Sequence, residues 1–484
     1  MSTVPEGDGV PEPVRELIAR ANEPFGRVIP SYEPLPDDAR RERAAALAPV
    51  VRGLVSTDNR QIGHLTDTAD VLDFLAREKH PALAALGTSC PDHFLRTKIR
   101  PLVLDRPPAA PITDTAARLR ELQEAYRSDY AAYYDRHRSA HSPVMRGADA
   151  AIVLVPGVGM FSYGADKQTA RVAGEFYVNA INVIRGAESV STYAPIPEGE
   201  KFRIEYWDLE EATLRRRPAP RPLATHVALV TGGASGPGRA SAERLAAEGA
   251  CVVVADLDGQ RATEAAAALG STDVAIGVMA DVSDEAAVAR AVQTAVLAFG
   301  GLDLVVNNAG LSISKALLET TIEDWELQHD VMAKGSFLVS REAARVMARQ
   351  GMGGDIVCVV SKNLLVAGPD DVAYEATKAD QAHQVRLLAA ELGALGIRVN
   401  GVNPDAVVRG SGIFAGGWGA QRATVYGIPE DELGAFYAQG TLLKREVLPE
   451  HVASAVFVLT AGELSRTTGM HVPVDAGVAA AFLR

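Results

Sequence analysis

Three side chains in this sequence have the types and spacing to move a proton while a hydride is transferred. Tyr374 and Lys378 stand four residues apart, and Ser361 precedes the tyrosine by thirteen. A helix that starts near Ala373 places Tyr374 and Lys378 on one face. An ordinary phenol, with a pKa of about 10, is a poor proton acceptor near neutral pH. A lysine ammonium one turn away favours the phenolate and lowers that value. A serine hydroxyl nearby can hold the substrate oxygen while hydride moves on or off its carbon. Tyrosine and lysine at this spacing are also a common helical pair, so the reading depends on the elements that must position them.

Those elements are legible. Asp355–Val360 is an apolar, β-branched run bounded by Gly353 and Gly354, which predicts a buried strand with Ser361 at its carboxyl end. Ligands of open α/β sheets bind at that edge. Upstream, the strand His226–Thr231 runs into glycines at 232, 236 and 238 and then a helix. Thr231, Gly232, Ser235, Gly236 and Gly238 form a loop suited to a pyrophosphate at a helix N-terminus. The next strand, Cys251–Asp256, ends in an acid eighteen residues past the last glycine. A carboxylate there binds a ribose hydroxyl and repels a 2′-phosphate, which predicts NAD rather than NADP. A strand at 274–280 ends in Asp281 and Val282, a helix covers 284–299, and a strand at 302–306 leads to Asn307, Asn308, Ala309 and Gly310. Strand–helix alternation of this kind makes a doubly wound parallel sheet.

The chain has 484 residues, room for two or three domains, with 47% hydrophobic and 23% charged residues. A formal net charge of −13 argues against a nucleic-acid surface or a polybasic membrane anchor. Three widely spaced cysteines suit a reducing, cytoplasmic setting. The first residues have neither a basic nor an apolar signal region, and no apolar run reaches the roughly 20 residues of a membrane span.

Residues 1–60 read as a proline-rich tail followed by a helix at 37–55, and residues 61–215 as a smaller α/β domain. Within the latter, a helix is expected at 66–86, weakened by Pro81, and another at 113–137 whose Tyr126, Tyr130, Tyr133 and Tyr134 read as core. The strand 150–155 enters a glycine-rich stretch and a helix at 165–184; glycines at 157, 159 and 164 miss the dinucleotide spacing and read as tight turns. Cys90 and His93, or His137 and His141, lack the further ligands of a zinc site, so no metal is expected. The arginine- and proline-rich run around 216–225 reads as a linker, and 226–484 as the dinucleotide domain.

Thr231-Gly232 with Gly236 and Gly238, Asn307 to Gly310, Ser361, and Tyr374 with Lys378 occur in an order that resembles the short-chain dehydrogenase/reductase family. The resemblance covers about 226–484. It implies that Tyr374 is the general acid/base, that Lys378 lowers its pKa and binds the nicotinamide ribose, and that Ser361 orients the substrate oxygen. It further implies that Asp256, Asp281 and Val282 hold the adenosine, and that Asn307, Ala309 and Gly310 support the cofactor cleft. The family's dimers and tetramers, formed through helices around 324–350 and 375–395, imply a homo-oligomer.

The chain departs from that pattern at three places. Met332 stands where an asparagine is usual, and a thioether cannot order water as an amide can; Lys334, Lys362 or Asn363 are candidate substitutes. Pro237 replaces an aliphatic residue in the glycine loop, and Asp405 a glycine after Pro404, with Arg409 at a cofactor-binding threonine.

A narrower resemblance, carried by Thr88–Lys98, the stretch from Val155, Gly174–Asn182, Asn403–Gly412 and His471–Arg484, is to bifunctional rhamnulose-1-phosphate aldolase/short-chain dehydrogenase proteins. Because no histidine pair of the zinc aldolase type is present, the chain is expected to lack that family's aldolase domain, and a separate aldolase chain is a candidate partner. The resemblance implies a small hydroxy-aldehyde, sugar or polyol as substrate, like lactaldehyde, with NAD as acceptor. An insert at 405–446 should cover it; Arg409, Trp418, Arg422, Tyr426, Lys444 and Arg445 either meet a carboxylate or phosphate there or form a solvated face.

Overall fold

The apolar runs of the sequence fold into two sheets, one in each of two units, Met1–Pro218 and Ala219–Arg484. The computed structural model describes residues 11–21, 25–208, 212, 216 and 218–482. The first ten residues of the tail, and Arg215 and Arg217 of the basic run, lie outside them.

In the first unit, β1 (Ile62–Thr66), β2 (Leu102–Val103), β3 (Ile152–Val155) and β4 (Gly159–Gly164) form a sheet in the order β1-β4-β3-β2. β4 pairs antiparallel with β1 and β3, and β2 parallel with β3. The glycine-rich stretch after β3 is a hairpin turn, made at Gly157 with φ +71°, and β4 intervenes before the helix Lys167–Val190. That helix buries Tyr177, Ile181 and Ile184 against Ile152 and Leu154 of the sheet and Phe74 of a facing helix. The segment expected as one helix at 66–86 is two, Ala69–Ala76 and His80–Leu86. Pro81 sits in the first turn of the second, where a missing N–H breaks no helical bond. Helices Asp37–Leu54 and Ile112–His137 lie where the sequence places them, with Tyr126, Tyr130 and Tyr133 buried.

The second unit holds β5 (Val227–Thr231), β6 (Cys251–Asp256), β7 (Ala275–Met279), β8 (Leu304–Asn307), β9 (Gly354–Val359), β10 (Ile397–Pro404) and β11 (His471–Val474). They are parallel throughout, in the order β11-β10-β9-β8-β5-β6-β7. The central strands are rich in valine and buried on both faces, because helices cover both sides of the sheet. Their sequences therefore run apolar without the alternation of a half-exposed strand. Order reverses beside β5, between β6 and β8, which opens a crevice at the carboxyl ends of these strands.

Candidate active site

The sheet delivers its chemistry-bearing residues to one edge. Thr231 ends β5, Asp256 ends β6, Asn307 ends β8, and Ser361 follows β9 by two residues. The helix Val372–Leu392 carries Tyr374 and Lys378. A cavity of about 600 Å³ runs along this edge, from Gly232, Gly236 and Asp256 to Ser361, Tyr374 and Lys378. Ser235, Asp281, Val282, Ala309 and Gly310 also line it. Gly238 and Asn307 do not; they support the walls.

The glycine loop is locked from below. Thr231 Oγ1 accepts from the N–H groups of Asn308 (3.0 Å) and Ala309 (3.2 Å), and Asn308 Nδ2 donates to the carbonyls of Thr231 and Gly232, each at 3.0 Å. A Cβ on Gly238 would lie 2.2 Å from the Gly232 carbonyl oxygen and 2.4 Å from Asn308 Nδ2, so only glycine lets the helix Gly236–Ala247 start this close to β5. Pro237 occupies the first turn of that helix. Asn307 turns inward, donating to Ser340 Oγ at 2.9 Å. Asn308, which the sequence reading passed over, is the residue that ties strand to loop; the doubled asparagine was its only signal.

Asp256 accepts from the N–H groups of Ala234 (3.1 Å) and Asp258 (3.2 Å), which fixes its carboxylate at the cavity wall. Asp281 accepts from Ser283 in the loop after β7. Cradle and acid together suit a dinucleotide.

At the other end, Ser361 Oγ accepts from Asn363 N–H at 3.1 Å, and Asn363 Nδ2 donates to Glu375 at 2.9 Å. Lys378 Nζ donates to the Val359 carbonyl at 3.1 Å and to Gln381 Oε1 at 2.8 Å, and lies 5.7 Å from the Tyr374 ring centre. Burial lowers the Lys378 ammonium to about 8. Burial also pushes the Tyr374 phenol up to about 12, with Ser361 opposing and Asp371, Glu375 and Asp405 reinforcing. Burial and these carboxylates thus work against the lowering expected from Lys378, whose own hydrogen bonds run to Val359 and Gln381.

Each of the three candidates for the work of an asparagine at 332 has a carboxylate partner. Lys334 pairs with Asp330, Lys362 with Asp405, each at 2.8 Å, and Asn363 with Glu375. From the insert, Trp418, Arg422 and Tyr426 line the cavity, and Arg422 is paired with Asp371. Arg409, Lys444 and Arg445 are exposed; Arg409 lies 3.5 Å from Glu446.

Residues 232–479, just over half of the chain, match the family model described as enoyl-(acyl carrier protein) reductase. The chain belongs to the short-chain dehydrogenase/reductase family. The oxidoreductase YuxG of Bacillus subtilis is 39% identical over 457 residues, 94% of this chain and 66% of that protein's length. A (−)-isopiperitenol/(−)-carveol dehydrogenase of Mentha piperita is 33% identical over 53% of this chain and 95% of its own. A D-threitol dehydrogenase of Mycolicibacterium smegmatis is 33% identical over 52% and 92%. Family members are oxidoreductases that use nicotinamide dinucleotides.

One expectation is overturned. Residues 42–214 match the model described as aldolase class II, second domain, so an aldolase-type domain is present rather than lacking. Zinc-binding histidines were the wrong marker, because a domain's packing pattern can persist where a metal-ligand pattern is not seen. No described helix is long and apolar enough to cross a membrane.

Proposed function

We propose that this chain is an NAD-dependent dehydrogenase of small, uncharged polyols, sugars or hydroxy-aldehydes. The observation that carries the reading is the cavity joining the glycine loop and Asp256 to Ser361, Tyr374 and Lys378. Gly232, Ser235 and Gly236 would hold the pyrophosphate, Asp256 the adenosine ribose, and Lys378 the nicotinamide ribose. When bound, the dinucleotide supplies or accepts the hydride.

The chain's own residues handle the proton. Ser361 and Tyr374 hydrogen-bond the substrate oxygen. A phenol pushed up to about 12 stays protonated at neutral pH, so Tyr374 serves as acid when a carbonyl is reduced. Oxidation of the alcohol needs the phenolate, and its rate should rise with pH.

Charge around the catalytic end supports an uncharged substrate. Lys362 and Arg422 there are each paired with a carboxylate, while Asp370 and Glu375 add further negative charge to the wall. A phosphate or carboxylate would have to displace one of those pairs. The D-threitol dehydrogenase among the relatives supports a polyol. Exposed Phe337 and Leu387 on the two long helices support association of copies. The first unit adds a second role of aldolase type, or joins a separate aldolase chain, which co-migration of the two chains on gel filtration tests.

The decisive assay is NAD+ reduction with L-lactaldehyde and neutral polyols, beside NADP+ and phosphorylated analogues. Turnover with NAD+ and a neutral alcohol is expected, falling by about 10²–10⁴-fold in Tyr374→Phe. Turnover indifferent to that substitution would refute the reading.

A further inference from the structure

The helix Val372–Leu392 and the segment around Met332 meet through one amide. Between the helices Ile322–Gln328 and Gly335–Gln350, residues His329–Lys334 form a widened, π-helical turn, a geometry that recurs at functional sites. Met332 is fully buried there, its sulfur directed to Gly310, where an added Cβ would meet it at 3.4 Å. The thioether is thus packing, and the polar contact comes from the backbone. Gln381 Nε2 donates to the Met332 carbonyl at 3.1 Å and to Ser336 Oγ at 2.7 Å, while its Oε1 accepts from Lys378 Nζ. Gln381 is itself 1% exposed. An ammonium has three donors; Val359 and Gln381 take two, leaving one for the cavity that Lys378 lines.

We propose that Gln381 is the positioning residue of this site: its amide clamps the Lys378 ammonium in place and anchors it to the Met332 carbonyl, so that no side chain at 332 is needed. The inference rests on the dehydrogenase reading for its purpose but not for its test.

An amide oxygen bonded to the ammonium favours its charged form. Other groups around it are Tyr374 on the same helix and Cys358 on β9; Asp330 and Lys334 of the π turn pair with each other, and His329 bonds the Trp325 carbonyl. Lys378 titrates near 8, within reach of competitive acetylation. Trace acetic anhydride applied across a pH series to the free enzyme, with acetylation of the Lys378 peptide read by mass spectrometry, reports that titration without cofactor or substrate.

Gln381→Met, similar in volume and without the amide, should move the titration down. Gln381→Glu, which keeps an acceptor and adds charge, should move it up. KM for the alcohol should change less than about twofold, since the amide touches no substrate. An unmoved titration, or movement in the same direction in both variants, overturns the proposal even if activity is lost. Should Gln381→Met not fold, the glutamate variant decides alone. Should the wild type oxidise no alcohol, the dehydrogenase reading fails while the acetylation series still decides this one.

Discussion

Lys98 in the first unit and Lys378 in the second are both buried ammonium groups, and burial lowers both. Their surroundings differ in one respect. Lys98 Nζ donates to Tyr130 Oη (3.1 Å) and to the carbonyls of Arg146 (2.9 Å) and Gly147 (3.1 Å), with Glu205 at 3.8 Å. Glu205 in turn accepts from Tyr130 and Tyr133. Every donor of that ammonium is used inside the protein. Lys378 uses two and faces a cavity with the remainder. A buried cation whose bonds are all internal holds a fold together; one left a donor short at a cavity wall is prepared for a ligand.

Replacing each lysine by methionine should separate the two roles. Lys378→Met is expected to lower turnover by about 10²–10⁴-fold, measured with NAD+ and the best neutral alcohol. Stability should move the other way. A lysine displaced from 10.5 to about 8 on folding costs about 3 kcal/mol at pH 7. The unfolded state binds the extra proton between those values, so the penalty is full below 8 and vanishes as pH rises to 10.5. The methionine variant should therefore gain stability in urea melts at pH 7 and lose the gain by about pH 10.5. Lys98→Met should instead destabilise the first unit by about 3 kcal/mol, because it removes the ammonium beside the buried Glu205 carboxylate and leaves it only the tyrosine donors and the more distant Arg146. A stabilised Lys98→Met would break the comparison.

His80 extends the contrast within the first unit. It is fully buried, its Nδ1 is 2.8 Å from the Arg77 carbonyl, and burial lowers its pKa from 6.5 to about 4. The unfolded chain protonates first on acidification, so stability falls from pH 6.5 to 4, by about 3 kcal/mol in all. His80→Phe should flatten that slope in denaturant titrations at about pH 4.5 and 7. An unchanged slope would mean that the carboxylates set acid stability instead.

How far the sequence could show this difference depends on range. Tyr374 with Lys378, the glycine loop, and the strands ending at Asp256 and Ser361 are written in local spacing and composition, and the structure puts them on one edge. Pro81, which reads as a weak point within one helix, instead opens a second one. What stayed hidden depends on partners far apart in the chain. Gln381 meets Met332 forty-nine residues away, and Arg422 meets Asp371 across fifty-one. The phenol's upward shift comes from burial and from Asp405 beyond a different strand, neither of which the four-residue spacing contains. The hairpin β3–β4 escaped because its turn glycines imitate a loop before a helix.

The smallest effect is the sharpest test of where polarity comes from in the second unit. The thioether of Met332 packs on Gly310, and the carbonyl of the same residue meets Gln381. Met332→Leu keeps both volume and carbonyl, so it should cost less than about 1.5 kcal/mol in stability and leave kcat within about threefold. Gln381→Met, which spares the backbone at 332 but removes the amide, should be the more damaging change to kcat. If the ranking were reversed, the side chain at 332 would be acting on the site directly, and Lys378 would owe its position to the packing beneath it rather than to the hydrogen bonds around it.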